Sequence, residues 1–63
     1  MSEKPEVELV GCDGNAFAIL GRCRRASNEA NWTKEQWEKF KFEAVSGDYD
    51  HLLRTVMTYF EVL

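Results

Sequence analysis

Along the chain, polar and apolar positions first alternate. In Glu6-Val7-Glu8-Leu9-Val10, Val7 and Leu9 fall on one face and Glu6 and Glu8 on the other. That period of two predicts a half-buried strand. The alternation breaks at Gly11 and Gly14 and passes directly into helical spacing. A turn is expected there, with Asp13 capping the helix and Gly14 free to take any backbone angle. The first helix is expected over 15–26. At about 100° per residue, Ala16, Phe17, Ile19, Leu20, Cys23 and Ala26 share one half of the wheel. Arg22 and Arg25 lie opposite, and Arg24 sits at the rim beside Phe17. Gly21 falls on the outward side, either as a tolerated glycine or as a point of close approach by another backbone.

Ser27-Asn28-Glu29-Ala30-Asn31 reads as a loop. In Trp32-Thr33-Lys34-Glu35-Gln36-Trp37, Thr33 and Gln36 have the spacing of a capping box, and Trp32 and Trp37 that of a hydrophobic staple. A second helix is expected over 34–45, with Trp37, Phe40 and Ala44 inward and Val45 beside them. Glu35 and Lys39 are set for a favourable i,i+4 pair, and Phe42 lies off the stripe. Ser46-Gly47 ends this helix, with Gly47 as the residue just past its C-terminus. Asp48 then caps a third helix, and Asp50 sits in its first turn, where the helix dipole favours negative charge. Leu52, Leu53, Val56, Met57 and Phe60 are its expected buried face; His51, Arg54, Thr55 and Thr58 face solvent. Tyr59 to Leu63 reads either as a continuation of this helix or as a strand with Phe60 and Val62 inward. The period of two and the branched and aromatic residues favour the strand. It also gives the first strand a partner for its backbone groups.

The expected fold is therefore α+β: three helices packed on a two-stranded ribbon of the terminal segments, in the order β-α-α-α-β. Residues 1–5 are expected as a flexible tail and 6–63 as one small domain. The chain has 63 residues, and 44% are hydrophobic. A chain this short buries about 60% of the surface it exposes when unfolded, but its apolar supply is too rich for disorder.

Eight basic residues face eleven acidic ones, for a net charge of −3. This balance disfavours a dedicated DNA-binding role and a polybasic membrane-surface role. No stretch approaches the roughly 18 apolar residues of a membrane span. The first residues are polar, so no signal peptide is expected and the expected compartment is the cytoplasm. Cys12 and Cys23 lack CxxC spacing, and the single histidine leaves too few ligands for a Cys/His zinc site within one chain. They are expected as two reduced, packed thiols.

Val10-Gly11-Cys12-Asp13-Gly14-Asn15-Ala16-Phe17 and Ser46-Gly47-Asp48-Tyr49-Asp50-His51-Leu52-Leu53 resemble a group of small uncharacterised bacterial and phage-encoded proteins of about this length. The resemblance covers most of residues 7–63; Trp32, Trp37 and the 28–31 segment look individual to this chain. That group carries no assigned activity, so the resemblance transfers no catalytic or binding residue. It implies an accessory or phage-related role.

No catalytic residue, metal site or cofactor is expected. The Gly11–Gly14 turn lacks a GxGxxG or P-loop pattern, and Asp13 would repel a phosphate. Asp48, Asp50 and His51 are explained by helix capping and dipole compensation. Arg22, Arg24 and Arg25 form the only basic cluster. Seven aromatic positions from Trp32 to Phe60 exceed what one thin core hides, and exposed aromatics are common interface anchors. The candidate partner-binding residues are Arg22, Arg25, Trp32 and Phe42. The leading expectation is a non-enzymatic interaction or accessory module with a protein partner or a second copy of itself. The alternative is a weak nucleic-acid binder using the Arg22/Arg25 face of helix 1.

Overall fold

The computed structural model describes residues 4–9, 11 and 14–63. Their order is β1 (Glu6–Val7), α1 (Ala16–Glu29), α2 (Lys34–Ala44), α3 (Tyr49–Tyr59) and β2 (Glu61–Val62). β1 and β2 pair in parallel, with Glu6 opposite Glu61 and Val7 opposite Val62. The expected β-α-α-α-β layout holds: the chain's two ends form the ribbon, and three helices make the crossover that a parallel pair requires. Backbone bonds extend the pairing, from Glu61 N–H to the Pro5 carbonyl and from Leu63 N–H to the Val7 carbonyl, each 2.9 Å.

Val7, Ile19, Cys23, Ala26, Trp37, Phe40, Ala44, Leu52, Val56 and Phe60 form the buried core. Phe40 is its centre, with ring centroids 5.0 Å from Phe60, 5.4 Å from Trp37 and Tyr59, and 6.0 Å from Trp32. Most of these pairs are edge-on or tilted, the arrangements aromatic quadrupoles prefer. Cys23 is fully buried. Cys12, Asp13 and Val10 lie outside the described residues.

Helix 1 departs from its expected boundaries at both ends. Its N-cap is Asn15, whose Oδ1 accepts the Phe17 N–H at 2.7 Å, rather than Asp13. Gly11 and Gly14 before it take φ of 85° and 80°, angles that glycine adopts without steric cost. At the other end the helix runs through Ser27 and Asn28 to Glu29, where a loop was expected. The stop is Asn31, at φ 62°. Asn31 N–H bonds to the Asn28 carbonyl (3.1 Å) and Trp32 N–H to the Ser27 carbonyl (3.0 Å). These are the two bonds of a Schellman cap, with asparagine in the left-handed position usually held by glycine. Ser27 is fully buried, and its hydroxyl donates to the Arg24 carbonyl one turn back.

Other corrections concern which faces are covered. Phe17 is 84% exposed, not part of the core; it lies about 160° around the helix from Ile19, at the limit of the apolar arc. Val45 ends α2 as its C-cap and is exposed. On α3, Met57 is exposed and Thr55 buried, the reverse of expectation. Thr55 tolerates burial because its hydroxyl donates to the His51 carbonyl at 2.8 Å. Phe60 points inward as expected, but Val62 is 38% exposed, because the core ends at Phe60. Gly21 meets nothing where a Cβ would sit, so it is a tolerated glycine. Glu35 and Lys39 do not close to an ion pair; Arg25 and Glu29 do, at 4.0 Å.

The two helix corners use different devices. The capping box of α2 is present as expected: Thr33 Oγ1 accepts Gln36 N–H at 3.1 Å, and Gln36 Oε1 accepts Thr33 N–H at 2.7 Å. Asp48 caps α3 by accepting the His51 N–H at 2.9 Å. Gly47 is not the left-handed cap expected of it. It leaves room for His51: a Cβ there would stand 2.8 Å from His51 Cγ and 2.9 Å from its Cβ.

Candidate interaction surface

The sequence-selected residues fall in separate places. Arg22 turns back to the residue after β1, where its Nη1 donates to the Glu8 carbonyl at 2.8 Å. Arg25 stands over Glu29 in an exposed i,i+4 pair. Between β1 and α1 lies a shallow groove of about 380 Å³ lined by Glu6, Glu8, Glu29, Arg22 and Arg25 together with Val7 and Ala26. Three carboxylates thus face two guanidiniums, and one guanidinium already serves the Glu8 carbonyl. A phosphate would meet like charge in this groove. Arg24, the third member of the basic cluster, lies 5.1 Å from the Trp37 ring centroid, a cation–π distance.

Trp32 and Phe42 are not equivalent. Phe42 is 76% exposed. Trp32 is half-buried and belongs to the aromatic cluster, 4.9 Å from Phe60 and 6.3 Å from Tyr59 between centroids. The Schellman cap explains this: Trp32 is both the second residue past Ala30, the C-cap of α1, and the residue before the N-cap of α2. That corner fixes its ring over the core.

His51 is half-buried rather than free in solvent. Its Nε2 lies 2.8 Å from the Glu43 carbonyl and 3.3 Å from Ser46 Oγ. Ser46 Oγ itself donates to the same carbonyl at 2.7 Å. A carbonyl only accepts, so Nε2 carries a proton here. An imidazole nitrogen in that state is no base for the neighbouring serine, and the Ser46–His51 contact is a helix-end clamp rather than a nucleophile pair. Next to it, Tyr59 donates its hydroxyl to Glu43 Oε1 at 3.2 Å. Partial burial and then the Glu43 carboxylate raise the Tyr59 pKa above its ordinary 10.0. Among the described residues, no three His, Cys, Asp or Glu side chains are grouped to hold a metal ion.

Sequence reasoning placed Phe17, Val45, Met57 and Val62 among or beside the inward positions, and all are exposed, as is Tyr49. Two of them frame an apolar groove of about 220 Å³ where the start of α1, the end of α2 and the start of α3 meet. Ala16, Leu20, Ala44, Val45, Tyr49 and Leu52 supply its apolar walls. Phe17 follows Ala16 in α1 but is not part of the groove's lining. Among the described residues, no helix is long and apolar enough to cross a membrane. Comparison with family models, curated proteins and solved structures finds no match to this chain.

Proposed function

We propose that this chain is a non-enzymatic protein-interaction module, acting in the cytoplasm as an accessory protein of the small bacterial and phage-encoded kind it resembles. One observation carries the reading: Phe17, Phe42, Val45, Tyr49 and Met57 stand exposed on a domain of 63 residues, while five other aromatic residues fill its core. Large apolar side chains held in water in this number mark contact surfaces more often than free surface. The grooves described above are shallow rather than enclosed, which suits a surface binder better than a small-molecule enzyme. The acidic lining around Arg22 and Arg25 does not favour the nucleic-acid alternative.

The test is solution mass across a concentration series, together with affinity capture from native lysate with and without nuclease. Self-association, or capture of one protein that survives nuclease, supports the module. Phe17→Ser and Phe42→Ser are expected to weaken that association while leaving the melting temperature within about 2 °C, since each side chain is exposed. A monomer at every concentration, with capture of nucleic acid alone, would sink the proposal.

A further inference from the structure

The ribbon of terminal strands has an open edge. In its parallel register, Val7 and Glu61 turn their backbone groups toward each other's strand. The alternation then aims the N–H and C=O of Glu6 away from β2. Among the described residues, no hydrogen bond reaches either group. Glu8, next in the same alternation, faces the same way, and its carbonyl is met there by Arg22 Nη1 at 2.8 Å. α1 therefore stands across from this edge. Two adjoining grooves share Glu6, Ala26 and Glu29 and follow the edge from Pro5 to Glu8.

The charge at this edge is acidic. Glu6 and Glu61 stand side by side in register, and Glu8 shares the Glu6 face by alternation. All three are exposed, and none closes an ion pair among the described residues. The neighbouring cations are turned elsewhere: Lys4 directs its ammonium to the Met57 carbonyl at 3.4 Å, and Arg25 stands over Glu29 at 4.0 Å. The residues outside the described ones bring no lysine, arginine or histidine. A second copy pairing antiparallel through the same edge would set its own Glu6 and Glu8 against the first pair, and like charges opposed across strands destabilise. The edge thus repels its own kind and suits a basic strand.

We infer that β1 takes up, as a third strand, an extended segment of a protein partner in which Lys or Arg alternates with apolar residues. Added antiparallel, one basic residue exchanges both N–H···O bonds with Glu6, which sets its side chain on the Glu6–Glu61 face. Its neighbours turn to the other face, where Pro5, Ala26 and Ala30 offer small apolar contacts. Main-chain bonds supply affinity, and the alternate side chains supply specificity. Arg22 keeps the Glu8 carbonyl and marks where the pairing stops. The inference rests on the reading of this chain as an interaction module, but on a surface that includes neither Phe17 nor Phe42.

The experiment titrates the whole chain, ¹⁵N-labelled and at low salt, with a blocked synthetic peptide of alternating Lys and Val, about nine residues long. The readout is the Glu6 backbone amide. A saturable shift with Kd below about 1 mM is expected, together with hydrogen exchange of that amide slowed at least about tenfold. N-methylating the peptide's Lys residues removes the N–H groups aimed at β1 and is expected to weaken binding at least about tenfold. N-methylating its Val residues, whose N–H groups face away, is expected to change it less than about threefold. Glu6→Lys is expected to weaken binding at least about fivefold; Glu6 is exposed, so the variant keeps its fold, which its unchanged spectrum elsewhere verifies. No Glu6 shift, or equal binding of the matching Glu-Val peptide, overturns the inference. So does indifference to N-methylation of Lys, which would reduce the contact to charge alone. Slow Glu6 exchange that grows with concentration in the free protein overturns it too, by giving the edge to a second copy. The mass and capture measurements on the chain without peptide are read separately, so failure of the interaction reading is distinguishable from failure of this one.

Discussion

The two corners of the helical layer do the same job by different means. Between α1 and α2, the chain turns on its own backbone. Asn31 enters the left-handed region, two N–H groups return to the end of α1, and Thr33 and Gln36 close the start of α2. Every partner lies within a few residues. Between α2 and α3, the turn relies on side chains that reach across it. His51, on the first turn of α3, and Ser46 both converge on the Glu43 carbonyl, while Tyr59, at the far end of α3, holds the Glu43 carboxylate. The first corner is a local device and the second a tertiary clamp. A local device is set by short-range sterics and survives changes elsewhere. A clamp fails when any of its parts is displaced.

The difference is open to attack at its strongest point first. Gly47→Ala places a methyl group 2.8 Å from His51 Cγ. The blocking atoms lie near the root of the side chain and cannot swing away, so the loss should be about 1–3 kcal/mol in denaturant unfolding. A change under a few tenths would show that the clamp is loose. At the other corner, Asn31→Ala forces a Cβ-bearing residue without a polar side chain to hold φ near 62°. A cost of about 1–2 kcal/mol is expected, and Asn31→Gly should stay within a few tenths of wild type. Equal losses from both substitutions would mean that the Asn31 side chain, rather than the backbone angle, carries the corner.

Thr33→Ala removes the acceptor of the Gln36 N–H and should cost about 1 kcal/mol, the usual worth of an N-cap. The smallest effect belongs to Tyr59. Its pKa is raised in the folded protein by partial burial and by Glu43. Its neutral form therefore contributes stability that is complete below pH 10, the unfolded value, and is lost as pH rises from there through the folded value. A shallow extra decline in melting temperature above pH 10 should disappear in Tyr59→Phe. An identical decline in the variant would remove Tyr59 from the clamp.

The ease with which each part could be read follows the same division. The Thr33–Gln36 box and the Asp48 cap were legible because donor and acceptor sit three residues apart, a separation that helix geometry converts directly into a bond. The two terminal strands were legible as a pair because neither could satisfy its backbone alone. Asn31 was not legible as a helix end, since the same residue suits any polar loop; only the bonds to Ser27 and Asn28 distinguish the cases. Gly47 was assigned a backbone role, whereas its function is to lack a side chain under His51. Of the candidate site residues, Phe42 was read from its place off the helical stripe, while Trp32 was drawn into the aromatic cluster by the corner before it.

The sequence by itself determined the starts of α2 and α3, the inward stripe of α2 and the strand at each end, because these depend on periodicity and on contacts within one turn. Tertiary structure alone decided which apolar faces remain in water. Phe17, Val45 and Met57 have the composition of core residues, but no neighbouring element reaches them. Thr55 has the composition of a surface residue and is buried because its hydroxyl finds a carbonyl in its own helix. Burial depends on what packs opposite, and a pattern along one helix carries no information about its neighbour's position.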